Sequence, residues 1–142
     1  MKHGHKSRGV AAVELAILLI PLVIMTFGMA ELGRAFYYYN GLVKSAREAS
    51  RYLSMYSRGT HEAQARCLAV HGNTNCAGDA RLHGLETGMV KIGYDLAVPT
   101  GYGSIDMVTV RIEGFPFQTL TSMPLDAMTF GPIGSTMRQG SS

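Results

Sequence analysis

Hydrophobic positions along the chain follow three different rhythms. Residues 10–30 form a nearly continuous apolar run whose only charge is Glu14. As a helix this run would be about 32 Å long at about 1.5 Å per residue, which matches a hydrocarbon core of about 30 Å. It is too long for a signal-peptide core, and Glu-Leu-Gly-Arg follows it without an Ala-x-Ala cleavage site. A chain of 142 residues could hardly cover such a rod on all sides, so the run reads as a membrane helix anchored in a lipid bilayer. Pro21 inside it predicts a kink or local unwinding near Ile17–Pro21, because proline lacks the backbone N–H and clashes with the preceding turn.

From residue 31 to 58 the rhythm is that of an amphipathic helix. Leu32, Phe36, Tyr39, Val43, Ala46 and Leu53 recur at helical spacings, while Lys44, Arg47, Glu48 and Arg51 occupy other faces. Ser57-Arg58-Gly59 supplies a basic last turn and a glycine stop. The Tyr37-Tyr38-Tyr39 cluster suits either the headgroup boundary or the packing of a soluble domain.

Beyond this helix the period shortens. A short helix is expected over residues 61–70. Residues 89–98 alternate, with Val90, Ile92, Tyr94, Leu96 and Val98 on one side, and residues 105–113 alternate again through Val108, Val110 and Ile112. With a turn at residues 99–103 these form an antiparallel hairpin, which Phe115-Pro116-Phe117 ends. Residues 133–138 are a third candidate strand, followed by a loose Gln-Gly-Ser-Ser end. The expected fold class is α+β, a long N-terminal helix packed on a small antiparallel sheet so that each buries its apolar face. Its parts are a basic leader (1–9), a transmembrane helix (10–30), an amphipathic extension (31–58) and a small α+β domain (59–142).

Charge alters the picture only at the N-terminus. The isoelectric point near 9.0 invites a nucleic-acid reading. However, Lys2, Lys6 and Arg8 precede every acidic residue, and the remaining 10 Lys and Arg balance 10 Asp and Glu. The body is formally neutral and has no dense basic block to track phosphates, so no nucleic-acid partner is expected.

Cys67 and Cys76 bracket a turn-forming Gly-Asn-Thr-Asn stretch. In an oxidising compartment they would form a disulfide; in a reducing one they would be free thiols. Together with His71 and His83 they match no common zinc spacing, so neither metal nor other cofactor is expected. The cations flanking the membrane helix, with Arg34, Lys44 and Arg47 after it, do not decide orientation by the positive-inside rule. The cysteine pair and the short N-terminal segment favour a cytoplasmic N-terminus and a C-terminal domain outside the cytoplasm.

No catalytic constellation emerges: Gly-x-Ser-x-Gly, a phosphate loop and His-Glu-x-x-His are all missing from the sequence. The chemically informative residue is Glu14, a carboxylate near the start of a membrane helix. It is the fifth residue after Gly9, which ends the basic leader. A cut after Gly9 would leave an ammonium on Val10, one helical turn from Glu14 or from the Glu14 of a neighbouring copy.

Basic leader, glycine and a glutamate at that distance resemble a class III prepilin processing site. The longer string Arg8-Gly-Val-Ala-Ala-Val-Glu-Leu-Ala, with Pro21-Leu, Phe27-Gly, Glu31-Leu-Gly-Arg-Ala-Phe and Ala46-Arg-Glu-Ala-Ser-Arg-Tyr, is similar to the TadE-type pseudopilins of the Tad (Flp) pilus system over about residues 8–53. Leu15 departs from the pattern, since an aromatic more often follows the glutamate. The resemblance implies a pilin-like, non-enzymatic protein of the bacterial inner membrane that is a minor component of a type IV-like pilus. In that setting the Gly9–Val10 bond would be cut by a prepilin peptidase, and Glu14 would serve recognition or subunit docking. Its partners would be that peptidase, sibling minor pseudopilins, the major pilin and the inner-membrane assembly platform, in support of adhesion or secretion. The competing readings are an unprocessed single-pass adaptor with a periplasmic partner-binding domain, and a membrane-tethered enzyme.

Overall fold

The computed structural model describes residues 6–119 and 129–140. Residues 1–5 of the basic leader and 141–142 of the expected loose end lie outside the described residues. The elements run α1 (Lys6–Leu53), α2 (Glu62–His71), a 3-10 turn (Thr87–Met89), β1 (Val90–Thr100), β2 (Gly103–Ile112) and β3 (Ile133–Arg138). The strands form one antiparallel sheet in the order β1-β2-β3, so the fold is α+β, as expected. The chain divides into two compact units, Met1–Phe36 and Tyr37–Ser142.

In the first unit α1 begins at Lys6, four residues before the apolar run, so the last residues of the leader are helical. The helix continues without interruption through Pro21, and the local unwinding expected at Ile17 is not seen. Residues 9–30 are all exposed, with no covering layer of side chains over their apolar surface.

In the second unit the last turns of α1 pack on the sheet. Leu42, Ala46, Ala49 and Leu53 are 0–1% exposed and share one core with Val108, Val110, Ile112, Phe115 and Ile133. The stripe expected from the sequence is met in part: Ala46 and Leu53 lie in this core and Val43 packs against it. Leu32, Phe36 and Tyr39 are 57%, 58% and 45% exposed. The buried stripe is built largely from small residues, because alanine and serine let a helix backbone come close to a neighbouring layer. Ser50 lies in this seam, its Oγ donating to the Arg47 carbonyl at 3.0 Å and bonding to Ser135 Oγ of β3 at 3.1 Å. Gly41 has a similar basis: a Cβ there would sit 3.0 Å from both terminal carbons of Leu82.

The α1 helix stops at Leu53, five residues before the expected end. Its final carbonyls are taken by 3-10-type bonds from Met55 and Tyr56, and the Gly140 N–H donates to the Ser54 carbonyl at 2.9 Å. Gln139 adds a bond from Nε2 to the Tyr56 carbonyl at 2.9 Å and is 8% exposed. Gln139 and Gly140 are therefore fastened to the end of α1, not part of a loose tail.

The hairpin follows its alternation as far as Tyr94. Val90, Ile92 and Tyr94 stand opposite Ile112, Val110 and Val108. A bulge then places Leu96 and Ala97 against Asp106 alone. Ala97 adopts φ 51° and donates its N–H to Asp106 Oδ1 at 2.8 Å, while Leu96 turns out to solvent. The turn is tighter than expected: Thr100 pairs with Gly103 across a two-residue tip, Gly101-Tyr102. Pro99 lies within β1, tolerated on an edge strand.

Phe115 and Phe117 leave the sheet but do not leave the core. Tyr38 of α1 meets them at ring-centroid distances of 5.7 and 5.8 Å, and Phe130 meets them at 6.1 and 5.5 Å. Such aromatic pairs contribute about 0.5–1.5 kcal/mol each beyond area burial. The two stripes of α1 respond differently to truncation. Leu42→Ala should destabilise the detergent-solubilised full chain by about 2–5 kcal/mol, whereas Phe36→Ser should change stability by no more than about 0.5 kcal/mol. Chemical denaturation of both variants checks this, and equal losses would mean that the buried stripe is misassigned.

Candidate functional site

The first unit holds the residues that the sequence singled out. Gly9 and Val10 lie in one turn of α1 and Glu14 in the next, so Val10 and Glu14 are neighbours on one helical face by their i, i+4 spacing. The Gly9–Val10 bond falls within the first turns of the helix. Those turns hold the N–H groups that have no intrahelical acceptor, which makes this end the easiest to open. Glu14 is exposed and makes neither an ion pair nor a hydrogen bond among the described residues.

The other polar groups of the span are handled locally. Thr26 donates its hydroxyl to the Leu22 carbonyl at 2.8 Å, which hides its polarity inside the helix. Arg34 and Glu31 pair one turn apart, with Nη1 and Oε2 at 3.3 Å. Pro21 removes the N–H that would otherwise reach the Ile17 carbonyl, and in lipid that carbonyl needs another donor.

The second unit carries the cysteines. Cys67, on α2, and Cys76 are joined in a disulfide, with Cα atoms 4.7 Å apart. Both sulfurs are thereby occupied, and no cluster of three or more metal-ligating side chains occurs among the described residues. The loop between them closes on Asn73, whose Oδ1 accepts from the N–H groups of Asn75 and Ala77 at 3.2 and 2.9 Å, and whose Nδ2 donates to the Ala77 carbonyl at 2.7 Å. His71 Nδ1 lies 2.9 Å from the Gly78 carbonyl, and Cys76 takes φ 53°.

Two links missed in the sequence reading tie this loop region down. Arg81 pairs with Glu48 of α1, and its guanidinium lies over Gly72. Gly72 has φ 77° and caps α2, and any Cβ there would collide with the Arg81 side chain. The Tyr94 hydroxyl donates to Glu62 Oε1 at 3.2 Å and accepts from the Gly59 N–H at 3.3 Å. Burial pushes the Tyr94 phenol above its usual range, and the neighbouring Glu62 carboxylate adds to the rise.

Residues 9–51 match the family model of TadE-like proteins. The chain is TadE-like over that span. The match opens on Gly9 and closes at Arg51, two residues before the end of α1, and it includes none of the strands. No curated protein and no solved structure matches the chain. That likeness suggests a Tad pilus-associated component, and the long apolar helix fits a membrane-anchored protein.

The cysteine loop yields a measurable expectation. The mass of the unreduced protein from its host should be two hydrogens below that of the dithiol. Reduction should then lower unfolding stability by about 2–3 kcal/mol, the loop-closure value for a short ring. A dithiol mass would show that the domain is kept in a reducing compartment.

Proposed function

We propose that this protein is a minor, pilin-like TadE-type component that helps build a Tad/Flp type IV pilus, in support of adhesion or secretion. It would sit in the bacterial inner membrane with its N-terminus in the cytoplasm and its 59–142 region in the periplasm, before any incorporation into a fibre. The observation that carries this reading is the placement of Glu14. It is the one carboxylate of the exposed apolar residues 10–30, five residues after Gly9 and inside the stretch that is TadE-like.

The chemistry follows from that placement. A carboxylate in a membrane helix costs up to about 2.5–3.5 kcal/mol at the bilayer centre and less towards its edge. Cleavage after Gly9 by a prepilin peptidase would remove Lys2, Lys6 and Arg8 and create an ammonium on Val10. An ammonium of one subunit beside Glu14 of the next offsets both desolvation costs and sets the axial register of packed helices. Sibling pseudopilins and the major pilin present the same kind of helix in this scheme, and the inner-membrane assembly platform receives it. The charge balance supports processing, since loss of residues 1–9 takes the formal net charge from +3 to zero.

Edman sequencing of the protein purified from its host should begin at Val10. An intact Met1 in cells with an active prepilin peptidase would instead favour an unprocessed single-pass adaptor. The second expectation concerns the carboxylate itself. Glu14→Ala should still fractionate with the membrane, because it makes the helix more apolar, but it should lose processing or pilus assembly. Normal piliation in that strain would remove any role for the charge.

A further inference from the structure

On the face of the sheet turned away from α1, side chains stand in rows across the strands. One row is Lys91, Arg111 and Gly134; the next is Gly93, Thr109 and Thr136. Between these rows lies a cleft of about 230 Å³ lined by residues 91–95 of β1 with Thr109, Arg111 and Glu113.

Three features of this cleft are not explained by the fold. Lys91 and Arg111 are directly opposite across the ladder, an arrangement that destabilises a sheet, and neither makes an ion pair among the described residues. Gly93 sits in a strand interior, where glycine weakens the sheet and often marks close approach of a ligand. Its backbone does not adopt positive φ, and a Cβ built there meets nothing within 4 Å, so neither conformation nor crowding demands glycine. Thr109 is 6% exposed although it faces outward, and its hydroxyl lies 2.9 Å from that of Thr136. One hydroxyl proton serves that bond, which leaves the pair a second donor for something else.

We propose that this cleft binds an acidic saccharide unit, with its carboxylate on Lys91 and Arg111 and its hydroxyls on the threonine floor and on Asp95 and Glu113. The two cations require an anionic group, and the guanidinium of Arg111 matches a carboxylate in geometry. The two carboxylates accept hydrogen bonds, and a uronate ring offers several hydroxyl donors beside its charge, more than the one or two of a phosphate at neutral pH. A neutral sugar is disfavoured because it would leave Lys91 and Arg111 without a counter-charge. The volume admits about one ring. This assignment does not depend on the pilus reading, since every residue in it lies outside the TadE-like span.

The test is a calorimetric or NMR titration of the full chain in detergent with oligogalacturonate, alongside maltooligosaccharide and inorganic phosphate. Saturable binding of oligogalacturonate is expected, with the other two at least tenfold weaker. Gly93→Val fills the cleft without changing charge and improves strand propensity. It should weaken oligogalacturonate binding tenfold or more while leaving the unfolding midpoint equal or higher. Arg111→Gln should weaken binding to a similar extent and gives an independent reading if the valine variant does not fold. Absence of saturable oligogalacturonate binding, equal binding of phosphate, or unchanged affinity in either folded variant would overturn the proposal.

Discussion

Inside a bilayer the backbone has no water to bond to, so every N–H and C=O of a spanning segment must be satisfied within the segment. That requirement makes residues 10–30 a helix before any side chain is considered, and it explains how the segment treats its polar atoms. Thr26 folds its hydroxyl back onto the Leu22 carbonyl. Glu31 and Arg34 close on each other. Two places escape the local solution, the carbonyl of Ile17, left without its usual donor by Pro21, and the carboxylate of Glu14. A carbonyl freed by proline is re-satisfied by local adjustment of the helix or by a neighbouring group, and a carboxylate this near the helix start can reach the headgroup layer or a cation beside it.

The second unit obeys a different constraint, that of a small core. With few residues to bury, the domain brings α1 close to the sheet through Ala46, Ala49 and Ser50, and adds an aromatic cluster of Tyr38, Phe115, Phe117 and Phe130. The remaining elements are fastened by specific links rather than by bulk. The disulfide holds the loop after α2, Arg81 joins that loop to Glu48, and Tyr94 ties β1 to Gly59 and Glu62. Gln139 and Gly140 close the end of α1. A domain of this size lacks the buried area to hold long loops by hydrophobic contact alone, and these links supply what area does not.

Much of this architecture could be read from periodicity. The three strands and α2 were visible because alternation and turn residues are local signals. The buried stripe of α1 was legible at Ala46 and Leu53 but not at Ala49 and Ser50, because periodicity is followed through large side chains such as Phe36 and Tyr39, whereas close packing on a sheet selects small residues. The bulge at Leu96 was hidden as well, since it depends on Asp106 accepting the Ala97 N–H from across the hairpin. Glu48 and Arg81 are far apart in sequence and meet only in the folded chain. Gly9, Val10 and Glu14 were legible because their meaning lies in their spacing. The outer-face cleft was not, because it exists only once β1, β2 and β3 are in register.

The distribution of charge bears on how such a protein could recognise partners. The body after residue 9 is formally neutral, so long-range steering by net charge has little to act on. Recognition must then rest on short-range features whose strength depends on desolvation. In the proposed function Glu14 is one, a carboxylate whose attraction to a neighbouring cation is strengthened by its apolar surroundings. Lys91 and Arg111 are another, a like-charge pair kept together by the ladder at some expense to the sheet. In both cases a local destabilisation marks the position at which a complementary group relieves it. The two positions lie in separate units, so their chemistry can be disabled one at a time without disturbing the other.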